Sequence, residues 1–300
     1  MTSANMDRIT VRVPATSANL GVGFDVLGLA LDLFASFTFK TSDSLRITGI
    51  DEDLCGPDNL VWTSYLTACD ELAVPSHALH IHEDCPIPSS GGLGSSSTCV
   101  VAGIVAAQVL SGHSLDRQFT LDLATRIEGH PDNVAPAVMG GLVSSYVGGG
   151  VTTSTRWPIA PSLRFVCMAP PYRVLTADAR RVLPSMVPMG SVSWQVGRCL
   201  AMVSAMASGD PEAIGACCHD RVHEPYRATL IPDFERIQAC ALDAGAATFL
   251  ISGSGATMLA ICADDESAAQ VEQAVAQEEP RLWVRTMRAS EQGVSVLERC

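Results

Sequence analysis

Four short segments gather the residues of this chain that could do chemistry. PATSANLGVGFDVLG, from Pro14 to Gly28, sets two short polar side chains, Asn19 and Asp25, among glycines. They could hold a small polar substrate, or only close an Asx-stabilised loop. PSSGGLGSSST, from Pro88 to Thr98, follows a strand-like stretch and runs into an apolar one. Its glycines allow close backbone approach, and a helix is expected to start near Ser95. A helix N-terminus presents unpaired N–H groups and a positive dipole end, so the segment is either an anion cradle or a flexible turn with a serine cap. RIEGHPDN, from Arg126 to Asn133, puts Glu128 at an expected helix C-terminus, where the dipole disfavours an acid. A bound cation such as Mg²⁺ would explain that placement; otherwise HPDN is simply a turn. SGSGAT, from Ser252 to Thr257, reads by itself as a hairpin turn. Arg180 and Arg227 suit bidentate binding of a carboxylate or phosphate, or are plain surface charge.

Lysine usage narrows the choice. Lys40 is the single lysine, and no basic residue other than histidine lies between Arg46 and Arg117. A Walker A loop, GxxxxGK[ST], is therefore excluded, and the position of the one lysine in an expected strand argues against lysine Schiff-base chemistry. If the loop at 88–98 binds phosphate, it must use backbone N–H groups, a helix end and a metal ion. The net charge of −13 argues against nucleic acid and anionic membranes as partners. Val100 to Leu110 is too short to span a bilayer and reads as a buried helix. MTSANMDRIT lacks the apolar stretch of a signal peptide. The 11 cysteines are irregularly spaced with no CxxC pair, as expected of small core residues in a reduced, cytoplasmic protein.

The elements that must position these residues follow from periodicity. Strands are expected over 8–14, over VLGLALDLFASFTFK, over ALHIHEDC and over LVSSYV. Helices are expected after Asp58 and Asn59, over 95–111 and over 116–128. VTTSTRWPIAPS reads as a turn and linker. LRFVCMAP then reads as a strand, and TADARRVL, WQVGRCLAMVSAMASG, DFERIQACALDAG and SAAQVEQAVAQ as helices. Two strand-like runs flank SGSGAT. The mixed order predicts an α+β protein of two lobes, 1–155 and 156–300. Nothing in the sequence sets the oligomeric state, and a homodimer is compatible with it.

Taken in order, the four segments resemble those of the GHMP small-molecule kinases, and among them the homoserine kinase family. PSSGGLGSS matches the family's phosphate loop, PATSANLGVGFDVLGLAL its opening motif, EGHPDNVAPA its central motif and SGSGAT its third motif. The likeness spans residues 14–257. It implies two α+β lobes, an N-terminal ATP-binding one and a C-terminal one, with the active site between them. It also implies transfer of a phosphoryl group from ATP to the side-chain hydroxyl of L-homoserine, a step of threonine biosynthesis.

In that reading Pro88, Ser89, Ser90, Gly91, Gly92, Leu93, Gly94, Ser95, Ser96, Ser97 and Thr98 wrap the triphosphate, and Asn59 reaches the adenine. Ser96 and Glu128 hold Mg²⁺. Asn19, Asp25 and His130 surround the amino acid, and Arg180 and Arg227 clamp its carboxylate. Asn133 positions the hydroxyl, which either gives its proton to Asp132 as the candidate base or attacks directly without one. Ser97 stands where the family usually has alanine, and Ala256 where its third motif has proline. Two arginines with Asp25 suit a zwitterion better than a sugar or mevalonate. A non-catalytic relative would have lost Ser96, Glu128 or the loop glycines, and all are present.

Overall fold

The computed structural model describes residues 8–89 and 91–299. Chain alternation builds its first layer. In β1 (Arg8–Ala18) Ile9, Val11 and Val13 are fully buried while Arg8 faces water. β1 does not stop at Pro14. Its pairing with β2 (Leu27–Thr41) shifts register between Pro14 and Thr16, an irregularity that tolerates a residue with no N–H to donate. The strand therefore carries Thr16 and Ser17 into the neighbourhood of the cleft. β3 (Arg46–Thr48) is followed by helix α1 (Leu60–Glu71) and strand β4 (Leu79–Asp84). Lys40 lies on β2 opposite His80 of β4.

Helix α2 (Ser95–Leu110) is buried all round from Val100 to Val109, as its unbroken apolar run demands. Gly103 lets it approach α1: a Cβ there would sit 2.4 Å from the Val61 carbonyl oxygen. Helix α3 (Arg117–Glu128) starts on the Asp116 cap and ends at Gly129 in the left-handed region. α4 (Val134–Met139) follows it. β5 (Leu142–Gly148) and β6 (Val151–Trp157) then form a hairpin, so VTTSTRW is a paired strand and not a linker. Its side chains are mostly exposed, which removes the apolar alternation that would have revealed it.

The second half contributes β7 (Arg164–Ala169), α5 (Thr176–Arg181), α6 (Met189–Ser208), α7 (Pro211–Cys217), α8 (Glu224–Arg227) and α9 (Phe234–Asp243). β8 (Thr248–Ile251), β9 (Met258–Cys262), α10 (Asp265–Glu278), β10 (Trp283–Met287) and β11 (Ser295–Arg299) complete it. Four strands form an antiparallel sheet in the order β10-β7-β9-β8. β7 is buried on both faces. Phe165 and Cys167 join the large core shared with the first sheet, and Val166 and Met168 join a smaller one with α9 and α10. The two lobes are thus welded through a common apolar face. β11 does not stay in the second half: it returns to pair antiparallel with β1, in the seven-stranded sheet β11-β1-β2-β4-β3 that β5 and β6 extend. The chain passes from one sheet to the other between Trp157 and Arg164, and only its last strand crosses back.

Candidate active site

A cleft of about 390 Å³ opens at the N-terminus of α2. Its walls come from the β1–β2 loop, the glycine loop, the end of α3, the segment before α4, the β7–α5 connection, α8 and the β8–β9 turn. Asn19, Asp25, Ser89, Gly91, Gly92, Gly94, Ser95, Ser96, Ser97, Glu128, His130, Asp132, Asn133, Arg180 and Arg227 all line it. Residues separated by more than 200 positions are thereby brought to one place.

The glycine loop is a built structure. Gly91, Gly92 and Gly94 all have positive φ. The Gly91 carbonyl accepts from the Thr257 hydroxyl at 2.5 Å, the Gly92 carbonyl from the Ser252 hydroxyl at 2.6 Å, and the Leu93 carbonyl from the Thr16 N–H at 3.1 Å. A planar trans peptide points its N–H opposite its carbonyl, so the N–H groups of Gly92, Leu93 and Gly94 turn away from these partners. Among the described residues none of the three N–H groups meets an acceptor. Together with the first turn of α2 they make a positively polarised concavity, the arrangement that binds phosphate without a lysine. SGSGAT is both things its sequence allowed: the turn of the β8–β9 hairpin, and the support behind this loop.

Four of the expected ATP-binding side chains lie elsewhere. The Asn59 side chain caps α1 through the N–H groups of Val61 and Trp62, and its amide donates to the Leu54 carbonyl and to Glu83. With every polar atom engaged and no place in the cleft wall, it is a structural cap; its neighbour Leu60 lines the cleft instead. Leu93 is buried in the core and serves through its backbone. The buried Thr98 hydroxyl turns back to the Ser95 carbonyl at 2.7 Å. Pro88 does not reach the cleft, and Ser90 lies outside the described residues.

At the end of α3 the Ser96 hydroxyl donates to Glu128 Oε1 at 2.6 Å. This pair of hard oxygen donors beside a phosphate cradle fits a divalent cation that takes its remaining ligands from phosphate and water. Further along, Asp132 is almost fully buried; its Oδ1 accepts from His130 Nδ1 at 2.6 Å and from the Asn133 N–H at 3.1 Å. The hydrogen bond to Asp132 raises the His130 pKa above its ordinary value. Gly28 allows this segment to seat on β2: a Cβ there would lie 1.8 Å from the Asp132 carbonyl oxygen.

Asp25, Arg180 and Arg227 add charge to the cleft wall. Arg180 grips Asp25 through both terminal guanidinium nitrogens, at 3.0 and 3.1 Å. Asp25 and Asn19 have φ of 56° and 69°, a conformation short polar residues accept more readily than most. Asn19 takes the Asp25 N–H on its oxygen and donates to the Gly253 carbonyl at 2.7 Å, so it shapes the loop that presents Asp25. Arg227 is buried at 2% exposure and held by the Gly253 carbonyl at 2.9 Å and the Ala179 carbonyl at 3.3 Å. Burial lowers its pKa. Behind it His223 contacts the Gly21 carbonyl at 2.7 Å, and burial lowers the His223 pKa too.

Sequence reasoning did not find Leu60, Ile127, Arg173, Val174, Leu175 and Thr176 in the cleft wall. Arg173 and its neighbours come from a connection with no recognisable spacing. Gly253 and Ser254, also in the wall, belong to SGSGAT and could have been named from it.

Comparison with known proteins agrees with this geometry. The GHMP kinases N terminal domain matches residues 59–141, and the GHMP kinases C terminal domain residues 202–281. A homoserine kinase of Clostridium beijerinckii is 39% identical over 255 residues, 84% of this chain and 86% of that protein. A homoserine kinase of Synechococcus is 39% identical over 273 residues, 87% of this chain and 88% of that one. The crystal structure of homoserine kinase from Cytophaga hutchinsonii superposes with a TM-score of 0.88 at 31% identity, covering 99% of each chain. A mevalonate kinase at 14% identity and a TM-score of 0.71 shares the fold alone. The chain belongs to the GHMP kinases, and within them to the homoserine kinase family.

Proposed function

We propose that this chain phosphorylates the side-chain hydroxyl of L-homoserine at the expense of ATP, in the cleft between the phosphate loop and the Asp25–Arg180 pair. The turned-out N–H groups of Gly92 to Gly94 and the α2 N-terminus receive the triphosphate and stabilise charge on the departing ADP. Ser96 and Glu128 are the residues that would hold Mg²⁺, which when bound supplies charge neutralisation between neighbouring phosphates. Asp25 receives the amine of the amino acid, and Arg180 and Arg227 its carboxylate. Asn133 orients the hydroxyl. That oxygen forms a bond to the γ-phosphorus as the bond from phosphorus to the bridging oxygen of ADP breaks. The hydroxyl proton passes to Asp132, whose second oxygen carries no hydrogen bond among the described residues, and then to water. The protein's task is mainly to align the reactants and stabilise charge.

One observation supports this reading above the rest. A lysine-free phosphate cradle and an oxygen pair for a cation share one cleft with an acid–arginine pair whose two charges complement those of a zwitterion. The test is release of ADP with Mg·ATP against homoserine, threonine, mevalonate and galactose in parallel. Turnover should favour homoserine. Activity confined to mevalonate or galactose would overturn the assignment.

A further inference from the structure

What Asn133 can do for a substrate hydroxyl depends on which end of its amide faces the cleft. The carbonyl end could only accept the hydroxyl's proton, whereas the NH₂ end could only donate to its oxygen. Thr16, at the far end of β1, decides between them. Its Oγ1 lies 2.8 Å from Asn133 Oδ1. Thr16 is wholly buried, and among the described residues its hydroxyl meets no other hydrogen-bond partner. Turning the amide over would make Asn133 the donor and leave the Thr16 O–H with no acceptor. A buried unsatisfied donor costs about 1–3 kcal/mol. The hydroxyl therefore donates to Oδ1, and Nδ2 is the end left for the cleft that Asn133 lines.

The glycine loop is shaped around this pair. Gly94 has φ of 68°, and a Cβ on it would lie 2.0 Å from Thr16 Oγ1 and 3.3 Å from Asn133 Oδ1. The Thr16 N–H also holds the Leu93 carbonyl at 3.1 Å. One residue thus ties the phosphate cradle to the side chain that orients the nucleophile.

We propose that Thr16 is a positioning residue for phosphoryl transfer, fixing the Asn133 amide so that its NH₂ donates to the oxygen of the attacking hydroxyl. The proposal rests on the reading of Asn133 given above. Donation from Asn133 holds the oxygen in line with phosphorus while leaving a lone pair to form the new bond. It also leaves the hydroxyl's own proton free to depart to Asp132.

The test compares Thr16→Val, Thr16→Ser, Asn133→Ala and the Thr16→Val/Asn133→Ala double variant, with kcat and both KM values from ADP release. Thr16→Val should lower kcat about tenfold or more, with the KM for ATP within about threefold of the parent. Thr16→Ser, which restores the hydroxyl without the methyl, should recover most of that loss. In the Asn133→Ala background Thr16→Val should cost nothing further, since the residue acts only through Asn133. Wild-type turnover in Thr16→Val, a Thr16→Ser variant as slow as Thr16→Val, or losses that add in the double variant would each overturn the proposal. Wild-type turnover in Asn133→Ala would instead overturn the role of Asn133 itself. Where Thr16→Val fails to fold, Thr16→Ala takes its place in the same comparison.

Discussion

Replacing Asp25 by asparagine separates a role in recognition from a role in holding the fold. In the resting cleft Asp25 and Arg180 satisfy each other through two hydrogen bonds of 3.0 and 3.1 Å. Their side chains are 35% and 39% exposed. An ion pair that wet contributes at most about 1 kcal/mol to stability. Asparagine keeps the shape of the aspartate side chain and tolerates the φ of 56° found at this position. The melting temperature should therefore move by no more than about 3 °C. Recognition is a different matter. A zwitterion replaces both halves of the pair, its carboxylate on Arg180 and its amine on Asp25. In the filled cleft the amine–carboxylate contact is worth about 1.5–3 kcal/mol, or roughly 10- to 150-fold in kcat/KM. The assay sets homoserine against 4-hydroxybutanoate, which has the same hydroxyl and carboxylate but no amine. Asp25→Asn should lower kcat/KM for homoserine by that factor and leave 4-hydroxybutanoate unchanged or improved, because an unpartnered negative charge has been removed. Equal losses on the two substrates would refute the reasoning. A large fall in melting temperature with an unchanged homoserine KM would do the same.

Glu128→Gln keeps an oxygen for the Ser96 hydroxyl but loses the charge, so kcat should fall about 100-fold or more while homoserine binding by calorimetry stays within about threefold; wild-type turnover would remove the cation role. Arg227→Lys loses the planar fork at a buried site, so the homoserine KM should rise about 10- to 100-fold with the ATP KM unmoved, and equal rises in both would argue for a collapsed cleft. Glu224 predicts a pH dependence of stability. It lies behind the cleft beside Asp220, His223, Cys218 and Arg227, and burial pushes its carboxyl up from 4.5 to about 8. The folded chain then holds a proton that the unfolded chain has released. This group's stability is complete below the unfolded value and is lost as pH rises through the window toward about 8, with a slope of about 1.4 kcal/mol per unit. Glu224→Gln lacks that slope but keeps an oxygen for the Ile251 N–H. In urea titrations the variant should gain on the parent between about pH 5 and about pH 8, and a difference independent of pH would refute the assignment.

The sequence was most legible where chemistry restricts residue type at fixed spacing. Asn19, Asp25, Glu128, His130, Asp132, Asn133, Arg180 and Arg227 all reach one cleft, although nothing local says that Arg180 will meet Asp25 across 155 positions. Helices with a strong periodic face or a clear cap were readable too: Asp116 and Gly129 bound α3 as their types suggest. Asn59 shows how one signal can serve two readings. An Asp-Asn pair before an apolar helix is a start signal, and the structure uses Asn59 for that, with all its polar atoms engaged by the cap, Leu54 and Glu83. β6 was lost because a solvated hairpin strand needs no apolar alternation. β11 was lost because its pairing with β1 is the most distant in the chain.

The glycine loop shows why some of the site could not be read locally at all. Its glycines and serines permit a cradle and a flexible turn equally. What distinguishes the two is where the loop's carbonyls go, and that is set from far away. Thr16 lies some 75 residues upstream, and Ser252 and Thr257 more than 150 downstream; each takes one carbonyl and so turns one N–H toward the cleft. The buried Ser252 hydroxyl is needed for this orientation, because an apolar side chain of similar size would leave the Gly92 carbonyl unpaired, whereas Thr16 and Thr257 hold their carbonyls through backbone N–H groups. The shape of the cradle is thus a property of three segments together, and the loop that carries the N–H groups is the one whose own sequence says least about it.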